Sequence, residues 1–142
     1  MNCRPTSRQR SASSEIAGGH ARRTWSATDP AKLTQQARAA IEDGANDLRI
    51  STVSVWEIAI KQSLGKLDLP LPAERWLPEI LRRTGFDVAD VSASAALRVR
   101  SLPWHHRDPF DRLLVAHALE DGYTILTRDE VLQVYGVPVL LA

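Results

Sequence analysis

Short apolar runs alternating with helical runs predict an α/β protein, with a parallel sheet covered by helices. Three observations carry this. The strand-like runs are brief and rich in β-branched residues, the segments between them repeat apolar residues at helical spacing, and Gly or Pro punctuates most junctions. Leu33, Ala37, Ala40 and Ile41 define a first helix, with Gly44 as its stop. Leu48 to Val53 reads as a strand, and Ser54 then starts a helix through Lys61 that ends near Gly65. Leu67 to Pro72 is a connector. Ala73 to Arg83 is amphipathic through Trp76, Leu77, Ile80 and Leu81, and Gly85 ends it. Phe86 to Val91 alternates as a strand, and Ser92 caps a helix through Arg100 that Pro103 stops. Pro109 to Glu120 is the clearest helix, with Pro at its first turn and Gly122 past its end. Tyr123 to Thr127 and Val137 to Leu141 read as strands, Pro138 favouring an edge position for the second. Sheets of this kind place ligand sites outside the carboxyl ends of their strands.

The composition is that of one globular domain. The chain has 142 residues, 44% of them hydrophobic and 25% charged, which suffices for a sizeable core. No apolar run approaches the roughly 18 residues of a membrane span, and the basic start is not followed by the apolar stretch of a secretory signal. A single cysteine, Cys3, leaves no internal disulfide and no multi-cysteine zinc site, so a cytoplasmic setting is expected. The formal charge of +1 hides an asymmetry. Residues 1–25 carry five arginines against Glu15; subtraction from totals of 18 basic and 17 acidic leaves 13 and 16 for residues 26–142. Residues 1–24, rich in Ser, Arg and Gly and without helical or strand period, read as a disordered segment ahead of a domain over 25–142. A basic tail attracts nucleic acid, but the other basic residues are scattered and say little about such a partner.

Four carboxylates stand at element ends. Glu57 follows a strand within Ser54-Val55-Trp56-Glu57, a sequence that also fits a capping box. Asp111 lies in the first turn of the clearest helix, where an acid also suits the helix dipole. Asp108, just before Pro109, suits an N-cap. Asp129 follows a buried strand directly, where it also suits a cap for Glu130 to Tyr135, and Thr127 is placed to orient a carboxylate. None is specific alone. Jointly they suit a hard divalent cation such as Mg²⁺ or Mn²⁺, which takes oxygen ligands and supports phosphodiester hydrolysis. Arg112 is open to pairing with an acid, contacting phosphate or standing idle in solvent. His105 and His106 are open to touching phosphate or a ligand, with their loop setting favouring solvent exposure, and His117 is expected in a structural role. Trp56, Trp76 and Trp104 are expected in the core or at a partner surface rather than as base-stacking platforms.

Together, Ser54-Val55-Trp56-Glu57-Ile58-Ala59-Ile60-Lys61, Gly65-Lys66-Leu67, Arg107-Asp108-Pro109-Phe110-Asp111-Arg112-Leu113-Leu114, Leu126-Thr127-Arg128-Asp129 and Tyr135-Gly136-Val137 resemble the PIN-domain family. Within it they are most similar to the VapC toxins of type II toxin–antitoxin systems, over residues 26–142. The resemblance implies a three-layer α/β/α sandwich around a parallel sheet. It also implies a Mg²⁺- or Mn²⁺-dependent endoribonuclease acting on structured RNA such as tRNA or rRNA. A homodimer and a cognate VapB-type antitoxin are the implied partners. Glu57, Asp111 and Asp129 match three of the family's four acidic positions, as catalytic and metal-holding residues.

The fourth acid is absent. The family opens with an apolar strand ending in Asp, then Thr-His and an apolar-Trp segment. Trp25 and Thr28-Asp29-Pro30 fit the end of that pattern, which puts the expected Asp at Gly19, with no apolar strand before it. The first strand is therefore expected to be missing or altered. A shifted reading frame accounts for this: Gly19-His20-Ala21-Arg22 can be encoded GGA-CAC-GCA-CGC, which one base later reads Asp-Thr-His. The gene sequence tests this hypothesis, and other codons at those positions remove it. Two readings follow, an RNA-cleaving toxin and a catalytically impaired homologue that keeps only antitoxin or dimer binding.

Overall fold

The computed structural model describes residues 22–25, as a strand, and residues 34–141. Five strands form one sheet: β1 (Arg22–Trp25), β2 (Asp47–Ser51), β3 (Asp87–Ala89), β4 (Thr124–Thr127) and β5 (Val139–Leu141). Their order is β3-β2-β1-β4-β5, and every neighbouring pair is parallel. The helices are α1 (Gln35–Glu42), α2 (Thr52–Ser63), α3 (Ala73–Thr84), α4 (Ala93–Arg98) and α5 (Pro109–Asp121). A 3-10 turn over Val99–Ser101 extends α4, and a 3-10 helix spans Glu130–Tyr135.

Successive residues of a strand face opposite sides of the sheet, and β4 shows the consequence. Ile125 joins a core cluster with Val53, Leu114, Val115, Ala118 and Tyr123, while Leu126 packs with Ala37, Ala40 and Leu140. Helices therefore cover both faces, giving the α/β/α sandwich. α5 contributes Leu114, Val115, Ala116 and Ala118 to the larger cluster. Burying each of the larger of these side chains stabilises the fold by about 1.5–3 kcal/mol.

The first strand is present, in altered form. Arg22-Arg23-Thr24-Trp25 lacks the apolar run expected of a central strand, yet it pairs with β2 on one side and β4 on the other. Main-chain pairing on both sides supplies what the residue pattern does not announce. The domain boundary expected after residue 24 thus falls inside β1. Gly19 and Thr28-Asp29-Pro30 lie outside the described residues, as does nearly all of the segment expected to be disordered.

The elements otherwise follow the sequence, with one correction that bears on function. α2 begins at Thr52, not at Ser54. Ser51 ends β2 and caps the helix, its Oγ accepting from the Val53 N–H at 3.2 Å, while Ser54 is buried inside the helix. The Ser54–Glu57 capping box therefore does not form. The connector after α2 is closed by Gln62, whose side chain donates to the Leu71 carbonyl at 3.0 Å and accepts from the Ala73 N–H at 2.7 Å. Trp56 and Trp104 are exposed rather than core residues. Trp56 leans on Phe110, with ring centroids 4.7 Å apart.

Candidate metal centre

The site is assembled at the carboxyl edge of the sheet. In β1, Trp25 pairs with Ile50 and Leu126, so Ser51 and Thr127 are the next residues on the strands either side. Asp129 lies two residues past Thr127. Its main-chain N–H donates to Thr127 Oγ1 at 3.1 Å, and its Oδ1 accepts from the Val131 N–H at 2.9 Å. Asp129 therefore caps the 3-10 helix with one oxygen and leaves Oδ2 for the site. Thr127 orients the Asp129 backbone, not its carboxylate.

Asp111 sits in the first turn of α5, and Asp108 caps that helix by accepting from the Phe110 N–H at 2.8 Å. With Asp108 engaged in the cap, the first turn aims Asp111 into the cleft. His106 completes the cluster. Its Nε2 lies 3.3 Å from Asp111 Oδ2 and 3.2 Å from Asp129 Oδ2. One ligand atom from each of His106, Asp111 and Asp129 falls within 4.8 Å of the others, among the described residues.

Electrostatics mark Asp111 as the strained member. Burial pushes its carboxyl up to about 6, Asp108, Glu57 and Asp129 add repulsion, and His106 opposes them. Crowded anions of this kind are what a bound divalent cation relieves. Glu57 is near enough to contribute to that repulsion but is not part of the three-residue cluster. Its carboxylate pairs with Lys61 one turn along α2.

Of the expected residues, the structure brings together Asp111 and Asp129 and leaves Glu57 beside them. His106 is the residue sequence reasoning underweighted, favouring solvent exposure for both loop histidines. His105 is exposed, packing edge-on against Tyr135 at 5.2 Å between centroids, but His106 turns into the site. No local signal separates the two: His105 and His106 share one loop, and only the fold of that loop over α5 turns His106 inward.

Among the described residues Arg112 pairs with no acid, and it does not stand idle in solvent. It is buried, donating to the carbonyls of Pro103 at 2.8 Å and of Val99 and Leu102 at 3.2 Å. Trp104 covers its guanidinium at 3.9 Å. Arg112 thereby pins the loop that carries His106. His117 is structural, as expected. Its Nδ1 lies 2.9 Å from Ser51 Oγ and its Nε2 3.1 Å from Asp121 Oδ2, tying α5 to the β2–α2 junction. Away from these acids, an apolar groove between α2 and α3 is lined by Val55, Ile58, Ala59, Trp76 and Leu77.

A parallel α/β/α sandwich with carboxylates converging past its central strands carries its candidate site where open α/β sheets hold their ligands. The PIN-domain family model matches residues 25–137. Ribonuclease VapC22 of Mycobacterium tuberculosis is 32% identical over 116 residues, covering 80% of this chain and 86% of that protein. Ribonuclease VapC16 of the same organism is 40% identical over 55 residues, 39% of each chain. The chain therefore belongs to the PIN-domain family, among its VapC-type members. Solved structures agree on the fold. A chain from the Rickettsia felis VapBC2 complex with promoter DNA superposes with a TM-score of 0.56 at 16% identity, over 84% of this chain and 98% of that one. A domain of a Methanocaldococcus jannaschii protein of unknown function gives 0.50 at 14% identity, over 86% and 91%.

Proposed function

We propose that this chain carries the site of a divalent-metal-dependent endoribonuclease that cuts structured RNA such as tRNA or rRNA. The observation behind it is the convergence of Asp111 and Asp129 with an Asp111 carboxyl raised to about 6. The donor set is hard and anionic, and it fits Mg²⁺ or Mn²⁺. Asp111 and Asp129 would hold the ion, with Glu57 joining once released from Lys61. The chemistry the ion supplies when bound is activation of water and screening of phosphate charge. The chain's own residues do the rest. Asp108 and Thr127 fix the backbone on which the two aspartates stand, and Arg112 fixes the loop that closes one side. Asp111 and Asp129 would orient the water that attacks phosphorus as the bond to the leaving ribose oxygen breaks, and Glu57, once released from Lys61, is the carboxylate near enough to take the water's proton.

The names of the M. tuberculosis relatives support ribonuclease activity. The VapBC2 complex supports a VapB-type antitoxin as partner, and the apolar groove between α2 and α3 is the surface we assign to its apolar segment. A homodimer in the cytoplasm completes this reading. One observation favours a second reading, an impaired homologue that retains only antitoxin or dimer binding: Gly19 stands where the resemblance expects an Asp. The test is cleavage of a structured RNA with and without metal, beside capture of a VapB-type antitoxin. Metal-dependent cleavage establishes the first reading, and antitoxin capture without cleavage establishes the second.

A further inference from the structure

His106 contacts both acidic members of the site, and the direction of the hydrogen bond at its other ring nitrogen decides what it does there. Its Nδ1 accepts from the Asp108 main-chain N–H at 3.1 Å. A ring nitrogen that accepts carries no proton, so the ring proton lies on Nε2. Nε2 faces Asp111 Oδ2 and Asp129 Oδ2 at 3.3 and 3.2 Å, so its N–H lies between two carboxylates. The residue is well anchored, its own main-chain N–H donating to the Tyr135 hydroxyl at 2.8 Å.

This is the reverse of a metal ligand. A histidine that binds a cation presents a lone pair to it and donates from its other nitrogen. Here the site-facing nitrogen is the donor, and the other is already an acceptor. We propose that His106 is a positioning residue that bridges Asp111 and Asp129 where a divalent cation would stand, so that metal binding must displace it. The bridge holds the two carboxylates together in the metal-free chain, at the expense of metal affinity. The inference rests on the metal-centre reading above.

Calorimetric titration of the full chain with Mn²⁺, against His106→Ala, tests this without reference to cleavage. Losing a donor to charged acceptors removes the competition, so the variant should bind Mn²⁺ about tenfold more tightly. Weaker binding by the variant would mean that His106 is a ligand, and unchanged binding that it is a bystander; either overturns the proposal. If neither protein binds Mn²⁺, the metal-centre reading itself fails and the bridge with it. If the variant does not fold, imidazole ¹H–¹⁵N spectra of the unmodified chain carry the test. The Nε2–H tautomer should be present without metal, and its signal should move on Mg²⁺ addition. An Nδ1–H tautomer in the metal-free chain overturns the proposal.

Discussion

Replacing Asp111 by Asn should stabilise the metal-free chain while removing a ligand. The Asp111 carboxyl rises from 3.8 to about 6 on folding, through burial first and then neighbouring acids. The folded state thus holds the proton more tightly than the unfolded chain does. Ionised Asp111 therefore opposes folding. The penalty is absent below the unfolded value, grows as pH rises between the two, and is complete above about pH 6. A shift of that size corresponds to about 3 kcal/mol, and the 22% exposure of the side chain reduces it to about 2 kcal/mol through solvent screening. Asn keeps the shape and an oxygen to accept from His106 but carries no charge. Urea unfolding in EDTA should show Asp111→Asn more stable by about 2 kcal/mol above pH 7, with the difference vanishing near pH 4. Equal or lower stability of the variant above pH 7 would refute the account of Asp111 as a crowded anion, as would a gain independent of pH.

Other substitutions probe the supports of the site. Arg112→Lys keeps the charge but cannot reach three carbonyls, and should cost about 2–4 kcal/mol in urea unfolding. An unchanged midpoint would contradict the role of Arg112 as the loop's pin. Ser51→Ala removes both the α2 cap and a partner of buried His117, so a loss of about 2–3 kcal/mol is expected; a loss under about 0.5 kcal/mol would show that neither bond matters. Lys61→Ala breaks an exposed pair one turn apart and should shift stability by less than about 0.5 kcal/mol. The same change frees Glu57, so Mn²⁺ affinity measured by calorimetry should rise; a fall would place Lys61 in the site.

Much of the fold was legible because its signals are local. Pro109, Gly122 and the apolar spacing between them bound α5 within a residue of the observed helix, and Ser92 caps α4 as its position implies. Two kinds of feature were not legible. β1 is held by hydrogen bonds to β2 and β4, partners far away in sequence, and Arg22-Arg23-Thr24-Trp25 carries no pattern that announces them. The start of α2 was misplaced because Ser51 and Ser54 both suit an N-cap; burial of Ser54 against the core decides between them. At the site, Asp111 and Asp129 were readable from their places at element ends. The inward turn of His106 and the burial of Arg112 depend on how the loop after α4 folds over α5, which residue type alone does not specify.

Incubating a structured RNA with the full chain in Mn²⁺, Mg²⁺ or EDTA, beside Asp129→Asn, asks most directly whether these carboxylates form a working nuclease centre. Cleavage in either metal, lost in EDTA and lost in the variant, is the predicted result. Cleavage that survives EDTA or the Asp129→Asn change, or no cleavage by a folded chain in either metal, would contradict it.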